Sequence, residues 1–440
     1  MSTYDKYLNL LKQIIQLKSV STDHSFKDEC ALTAKWLNEL FNDNGFETKI
    51  HEGYGNPIVV ASYVADESFE TCLIYGHYDV QPAEKEDGWN HDPFDVYEEN
   101  GRLYARGVVD NKGQVLIHIA NIIDLIKDGK LAYNVKFMIE GDEETGSPKL
   151  PDFIKEHKAD LACDFFLISD GEIISDNPVI DAGFRGGANT KLVIKTASTD
   201  LHSGLFGGVA PSAAHEAAKF VANLKDSNNQ VTIPGFYDDV DSISDEILEN
   251  NKNIPFDMDE ITNITGIKAL KNEEGVDYYS QVGLRPTIEV TGLDSGFTDE
   301  GYRNSIPALA TVKVNFRLVK NQNPNEVIEK YKQYIASVMP EYVEWDLQVT
   351  DPYEASKMNL DNKYVQIVKD KLTKSFGKAP YLAFSGGGLP IVILYQKYLG
   401  TDGVLAGLGN ADCNMHGTNE NYNIDILKKG LEFSRLFFSK

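Results

Sequence analysis

The feature that most constrains the fold is an alternation of short apolar runs and helical patterns over roughly the first 180 residues. Continuous apolar runs of strand length, separated by helices, are typical of a largely parallel sheet with helices on both faces. The predicted strands are Ile58–Tyr63, Cys72–Tyr75, Val135–Ile139 and Phe165–Ile168, and Val404–Leu408 is expected to return to the same sheet. The predicted helices are residues 4–15, 28–43 and 115–126, the last apolar on nearly all sides and therefore buried.

The middle of the chain has a different pattern. Strand candidates Thr190–Lys195, Arg285–Thr291 and Ala310–Leu318 are joined by the amphipathic helices Pro211–Leu224 and Asn325–Val338, which indicates a small α+β domain. A length of 440 residues also exceeds what one hydrophobic core usually serves. We therefore predict an α/β domain with a mostly parallel mixed sheet flanked by helices, residues 1–185 plus 351–440. An α+β domain, residues 186–350, is inserted into it.

Charge and cysteine content narrow the classes of partner. Acidic residues outnumber basic ones by 67 to 42, giving a formal charge of -25, which disfavours binding to nucleic acid or anionic lipid. No apolar run reaches the length of a membrane span, and the first residues lack the pattern of a secretory signal. The four cysteines are sparse and form no CxxC motif. We expect a cytoplasmic protein with reduced thiols and with neither a nucleic-acid nor a membrane partner.

Acidic and histidine side chains follow several predicted strands at the point where each strand ends. His77 and Asp79 follow Cys72–Tyr75, and Asp170 follows Phe165–Ile168. Ligands of open α/β sheets bind outside the carboxyl ends of the strands, so these loops are expected to converge. The full set of candidate groups is His77, Asp79, Asp110, Glu143, Glu144, Asp170 and His416.

Such a cluster requires cations, because buried like charges repel one another and are costly to desolvate. Two histidines with three carboxylates exceed the ligands of one tetrahedral ion and suit two ions that share a carboxylate. Nitrogen and oxygen donors without thiolate favour Zn²⁺, Mn²⁺ or Co²⁺ over Ca²⁺. Each residue alone also has a structural explanation; Asp110, for example, could cap the following helix. Their joint occurrence favours a metal site.

Four sequence strings resemble motifs of the M20 metallopeptidase family. They are Gly76-His-Tyr-Asp-Val-Gln-Pro, Gly107-Val-Val-Asp-Asn-Lys-Gly, Glu140-Gly-Asp-Glu-Glu-Thr-Gly-Ser and Ser169-Asp-Gly. Trp89-Asn-His-Asp-Pro-Phe and Leu103-Tyr-Ala-Arg-Gly are similar to the carnosinase-type and Xaa dipeptidases of that family. The resemblance implies that residues 1–185 plus 351–440 form a dimetal catalytic domain, and that residues 186–350 form a lid and dimerisation domain.

The resemblance also implies a role for each candidate group. His77 and Asp170 would complete one metal site, Glu144 and His416 the other, and Asp110 would bridge both ions, followed by a cis peptide to Asn111. Asp79 would orient the His77 imidazole, and Glu143 would be the general base. The two glutamates are expected to divide these roles because successive side chains of an extended segment point in opposite directions. Zn²⁺ is the favoured ion.

Further candidate residues come from the same resemblance. His202, in Thr199-Asp-Leu-His-Ser-Gly, would reach the active site of a partner subunit, which implies a homodimer. Arg317 and Asn304 would contact the substrate, with Arg317 holding its C-terminal carboxylate. Gly387 and Gly388, in Ser385-Gly-Gly-Gly-Leu-Pro, would contribute backbone N–H groups to that carboxylate. Here Gly388 replaces the Ser of carnosinases and Ser385 an acidic residue, so the substrate preference is left open.

The predicted function is metal-dependent hydrolysis of the amide bond of dipeptides or short peptides, by water activated at two ions with Glu143 as base. An N-acyl amino acid deacylase or desuccinylase would use the same site. A more distant alternative is a non-catalytic dimeric binding protein, which would be expected to have lost a ligand or the base. No such loss is visible in the sequence.

Overall fold

The computed structural model describes residues 2–440, except for the side chains at positions 260, 264 and 351. Its helices are α1 Thr3–Ile15, α2 Lys27–Asp43, α3 Lys112–Lys127, α4 Leu150–Glu156, α5 Lys158–Leu161, α6 Ser203–Phe206, α7 Ala213–Ala222, α8 Asp245–Asn253, α9 Met258–Thr265, α10 Tyr278–Gly283, α11 Pro324–Val338, α12 Lys363–Phe376, α13 Pro390–Tyr398 and α14 Ile424–Phe438. Short 3-10 helices span His24–Phe26, Lys85–Asp87 and Glu143–Thr145.

The strands are β1 Glu47–His51, β2 Ile58–Tyr63, β3 Thr71–His77, β4 Tyr97–Glu99, β5 Arg102–Tyr104, β6 Asn134–Glu140, β7 Phe165–Ile168, β8 Val179–Phe184, β9 Gly186–Lys195, β10 Leu201–His202, β11 Thr287–Ser295, β12 Ser305–Ile306, β13 Leu309–Leu318, β14 Glu344–Tyr353, β15 Ser356–Lys357, β16 Tyr381–Ser385, β17 Gly403–Gly407 and β18 Asn421–Asn423. The described chain divides into two compact units. The first comprises Met1–Ala182, Met358–Leu382 and Leu394–Lys440, and the second Gly183–Lys357 and Ala383–Ile393.

The first unit is built on a mixed sheet with the strand order β1-β2-β6-β3-β7-β17-β8. Its central strands β6, β3, β7 and β17 run parallel, whereas β1, β2 and β8 are antiparallel to their neighbours. The α/β class with a mixed sheet and flanking helices is thus confirmed. Nearly every residue of α3 is buried, as its apolar pattern predicted. Because α3 begins directly after Asn111, the buried helix fixes the position of the loop that carries Asp110.

The second unit is a four-stranded sheet with helices. Its strand order is β11-β13-β9-β14, and all three pairings are antiparallel. Helices α7 and α11 contribute Phe220 and Tyr331 to a core that includes Phe316 of β13. Residues 226–284, which have no clear sequence pattern, contain the short helices α8, α9 and α10. Residues 383–393, which we predicted in the first domain, group with this unit.

Most predicted elements occur with boundaries shifted by a few residues, and β17 joins the main sheet as expected. Elements that were not predicted include strands β1, β8 and β14 and helices α12, α13 and α14. Among residues 2–440, no helix combines the length and the apolar character needed to cross a membrane.

Candidate metal centre

Two carboxylate–imidazole groups of the first unit meet at Asp110. His77 is the last residue of β3, and its Nε2 lies 3.1 Å from Asp110 Oδ1 and 3.8 Å from Asp170 Oδ2. His416 Nε2 lies 2.8 Å from Asp110 Oδ2 and 3.2 Å from Glu144 Oε2. Each oxygen of Asp110 therefore faces a different imidazole. In each group, His77–Asp110–Asp170 and Asp110–Glu144–His416, the potential ligand atoms lie within 4.8 Å of one another.

Asp79 connects the His77 imidazole to the turn that carries the two glutamates. Its Oδ1 lies 3.3 Å from His77 Nδ1. The same carboxylate accepts hydrogen bonds from the backbone N–H of Glu143 at 3.2 Å and of Glu144 at 3.0 Å, and from the Ser21 hydroxyl at 2.6 Å. It is fully buried. One side chain thus positions both an imidazole and the Glu143–Glu144 turn.

The turn itself differs from the sequence expectation. Glu143 and Glu144 begin the 3-10 helix Glu143–Thr145 and do not lie in an extended segment. Successive side chains of a 3-10 helix are separated by about 120° around its axis. The two glutamates therefore point in different directions because of this helical turn, and the expected alternation of an extended segment is wrong. Glu144 Oε2 accepts a hydrogen bond from Gln81 Nε2 at 2.7 Å in addition to its contact with His416.

Glu420 holds the loop that carries Asp110, and sequence reasoning did not identify it. Its carboxylate accepts hydrogen bonds from the backbone N–H groups of Gly107, Val109 and Asp110 at 3.0, 2.8 and 3.1 Å. It also forms a buried ion pair with Arg106 Nη1 at 2.8 Å. The only sequence signal was its place in Gly417-Thr-Asn-Glu, shortly after His416.

Asn111 has a similar supporting position. The peptide bond between Asp110 and Asn111 is cis, as the family resemblance implied. Asn111 Nδ2 donates to Asp170 Oδ1 at 2.9 Å and to the Ser169 carbonyl at 2.7 Å. The loop that contains Asp110 is therefore tied directly to the loop that contains Asp170.

The protonation of the cluster shows how strongly its carboxylates attract positive charge. Hydrogen bonds to Asp110 and Glu144 raise the pKa of His416 to about 10. The pKa of His77 is also raised, because hydrogen bonds to Asp110 and Asp79 outweigh its burial. Burial and the neighbouring carboxylates raise the pKa of Glu143 to about 8, although His77 opposes this shift. Protons on the two imidazoles offset part of the negative charge of these carboxylates.

This donor set fits divalent metal ions. Imidazole nitrogens and carboxylate oxygens are the ligands of Zn²⁺, Mn²⁺ and Co²⁺, and a carboxylate whose two oxygens face different groups suits a bridging position. His77 already has Asp79 at its second nitrogen, as histidine ligands generally require. His77, Asp110 and Asp170 would hold one ion, and Asp110, Glu144 and His416 the other.

The remaining predicted site residues lie in the second unit. His202 pairs with Ser305 across β10 and β12, and its Nδ1 accepts a hydrogen bond from the Gly204 N–H at 2.9 Å. The Asn304 carbonyl accepts a hydrogen bond from the Ser203 N–H at 3.1 Å. These contacts do not test the roles of His202 and Asn304, which stay predictions.

Arg317 lies in a cationic group that includes a residue missed by sequence reasoning. Its Nη1 donates to the Tyr353 hydroxyl at 2.9 Å. Arg185 donates from its backbone N–H to the Gly387 carbonyl at 2.9 Å and from Nε to the Gly386 carbonyl at 3.1 Å. Among the residues whose side chains are described, neither guanidinium forms an ion pair with a carboxylate. Burial, together with the charge of Arg317, lowers the pKa of Arg185 to about 10.

Comparison with known proteins identifies the family. The model of peptidase family M20/M25/M40 matches residues 73–440. The chain belongs to this peptidase family. It is therefore a metallopeptidase that hydrolyses peptide bonds, and the match covers the four strings that suggested the family.

Individual M20 relatives are dipeptidases and a carboxypeptidase. The chain is 29% identical over 393 residues to the Beta-Ala-His dipeptidase of Homo sapiens, covering 87% of this chain and 77% of the relative. It is 28% identical over 462 residues to the Cys-Gly metallodipeptidase DUG1 of Saccharomyces cerevisiae, covering 97% and 93%. Its structure resembles the M20 metallo-carboxypeptidase Sso-CP2 of Sulfolobus solfataricus, with a TM-score of 0.86, 30% identity and 98% of each chain covered.

Proposed function

We propose that this M20 peptidase hydrolyses dipeptides at a dinuclear metal centre. The main support for this proposal is that the two oxygens of Asp110 face two different imidazole–carboxylate groups. That arrangement suits two ions and one shared ligand. The M20 relatives named as Beta-Ala-His and Cys-Gly dipeptidases support a dipeptide substrate, and we infer the substrate class from them.

In the proposed reaction, residues of the chain position the water and transfer its proton. Two divalent ions, when bound, polarise the scissile carbonyl and make water more acidic. Glu143 takes a proton from the attacking water and returns it to the amine as the C–N bond breaks. Its backbone N–H is held by Asp79, so the base is positioned by the same carboxylate that orients His77.

The second unit is proposed to bind the substrate's C-terminal carboxylate. Arg185 and Arg317 lack carboxylate partners among the described side chains, so an anion can be held without displacing an internal ion pair. The Tyr353 hydroxyl and the backbone of Gly386–Gly388 lie in the same group. A planar guanidinium binds a carboxylate through two parallel hydrogen bonds. A free carboxylate at the substrate's end follows from this proposal.

We further propose that the protein acts as a homodimer in which His202 serves the partner's active site. His202 is exposed, and apolar side chains close to it in sequence are also exposed, Leu205 at 74% and Val209 at 79%. Apolar side chains exposed together often mark a protein interface. An imidazole supplied across such an interface would donate a hydrogen bond to the developing oxyanion.

A substrate panel tests the proposed function. We expect turnover of unblocked dipeptides with Zn²⁺, Mn²⁺ or Co²⁺, and little turnover of N-acetyl or N-succinyl amino acids. Hydrolysis of the acylated amino acids alone would replace the dipeptidase by a deacylase that uses the same centre. Absence of all turnover, with less than one bound ion per chain, would favour a binding protein.

A further inference from the structure

Another cluster of side chains that could hold a metal ion lies in the first unit and shares no residue with the centre at Asp110. It consists of His51, the last residue of β1, together with His157 and Asp160. His157 lies between α4 and α5, and Asp160 belongs to α5. One potential ligand atom from each of the three residues lies within 4.8 Å of the other two.

The local packing holds the two imidazoles together. The His51 and His157 ring centroids are 4.3 Å apart, and both rings pack against Phe153, at 5.0 and 4.7 Å. His51 is 6% exposed, and its ring nitrogens form no hydrogen bond with any residue that the structure describes. A buried imidazole without a hydrogen-bond partner can offer the lone pair of a ring nitrogen to a cation.

We propose that His51, His157 and Asp160 form a third metal site, which takes a late divalent transition metal of the Zn²⁺ class. Two imidazoles and one carboxylate match the ligand preference of Zn²⁺ and leave a fourth position for water. The site opens to solvent, because the side chains of His157 and Asp160 are 21% and 55% exposed, so an ion can exchange there. His157 Nδ1 lies 3.1 Å from Asp160 Oδ2.

An ion at this position would join two segments that also meet near Glu143. Asn56, five residues after His51, donates from its backbone N–H and its Nδ2 to the two oxygens of Asp142, at 2.6 and 2.7 Å. Asp142 directly precedes Glu143, and α4 follows the same turn. Metal binding would therefore tie segment 51–56 to segment 142–160 at a second point, and it should raise thermal stability.

The test counts bound ions and does not depend on turnover, so its failure is separate from failure of the proposed function. The metal-free full chain is dialysed against micromolar Zn²⁺, and bound metal is measured by elemental analysis. We expect three ions per chain for the wild type and two for the Asp160→Asn/His157→Gln double variant. His91→Gln is the matched control, because that ring stacks on Tyr97 at 3.5 Å and belongs to none of the three groups; it should bind three.

Equal numbers of bound ions in the wild type and the double variant would overturn the proposal. Asp160→Asn alone guards against misfolding, since this carboxylate is largely exposed, and it should weaken binding of the third ion at least tenfold. Crystals soaked in Zn²⁺ give an independent result. An anomalous peak between the rings of His51 and His157 supports the site, and full occupancy at Asp110 without that peak rejects it.

Discussion

At the residue scale, Asp79 and Glu420 show how a charged centre is positioned by side chains that need not contact a metal. Asp79 accepts two backbone hydrogen bonds from the Glu143–Glu144 turn, and Glu420 accepts three from the loop that ends at Asp110. Both carboxylates are fully buried. Because each of them accepts several backbone hydrogen bonds, these two carboxylates hold the ligand loops in place.

Replacing the proposed base should separate chemistry from metal binding. Glu143→Gln keeps the size of the side chain but cannot take a proton, so kcat should fall by roughly 10²- to 10⁴-fold. Bound metal per chain should be unchanged, because Glu143 belongs to neither ligand group at Asp110. Steady-state kinetics and elemental analysis measure both quantities, with the exposed Glu86→Gln as control. A near wild-type kcat would remove Glu143 from the role of base.

Substrate anchoring by Arg317 predicts a dependence on the substrate's terminal carboxylate. Arg317→Ala should lower kcat/KM for a dipeptide by roughly 10- to 100-fold, the value of a charged hydrogen bond. With the wild type, amidation of the dipeptide's C-terminus should lower kcat/KM by a similar factor. With Arg317→Ala, the same amidation should lower kcat/KM little further. Arg435→Ala, a partly exposed arginine of α14, is the control. If the substitution and the amidation instead lowered kcat/KM by factors that multiply, Arg317 would not contact the carboxylate.

At the scale of elements, the burial of α3 and the Arg106–Glu420 ion pair fix the loop between β5 and α3. Glu420→Ala should strongly lower thermal stability, by about 3–5 kcal/mol, because Arg106 and three backbone N–H groups lose their buried partner. Asp412→Ala is the matched control for Glu420→Ala, because Asp412 also forms an ion pair with an arginine, Arg102, at 2.7 Å. Unlike Glu420, the Asp412 side chain is 67% exposed. Its cost should be about 0–1 kcal/mol. Thermal melts of both variants test the difference, and equal costs would contradict it.

At the scale of the whole molecule, the proposed shared active site predicts complementation between two inactive variants. In a mixed dimer, the His202→Ala chain keeps its own Glu143 and receives His202 from a Glu143→Ala partner. After random exchange of subunits in an equal mixture, about a quarter of all active sites should therefore be complete. Activity is measured before and after the two purified variants are mixed. No recovery, despite exchange shown by labelled chains, would contradict a contribution of His202 across the interface.

The metal-free protein should lose stability as the pH rises. Glu143 and His416 have folded-state pKa values of about 8 and about 10, above their ordinary values. Each group therefore binds its proton more tightly in the folded state, and its stabilisation is lost as the pH rises through the folded pKa. The thermal midpoint of chelator-treated protein should decrease as the pH is raised from about 6 to about 9. Glu143→Gln should show a shallower decline; an unchanged slope would exclude Glu143 as a cause.

Sequence alone determined the class of the protein and most of its candidate ligands. Apolar runs such as Phe165–Ile168 revealed buried strands, because strands covered on both faces are almost continuously apolar. Acidic groups and histidines at the strand ends indicated a metal site, and the resemblance of four sequence strings to the M20 family indicated a metallopeptidase. These signals are local, so they are visible without knowledge of distant contacts.

Only the tertiary structure decided which groups support the ligands. Glu420 lies more than 300 positions from the loop that it holds, and Arg185 and Arg317 become neighbours only when the second unit folds. The group of His51, His157 and Asp160 likewise combines residues about a hundred positions apart without any motif. Hydrogen bonds and charge interactions act over a few ångströms in space, whatever the separation along the chain, so sequence spacing carries little record of them.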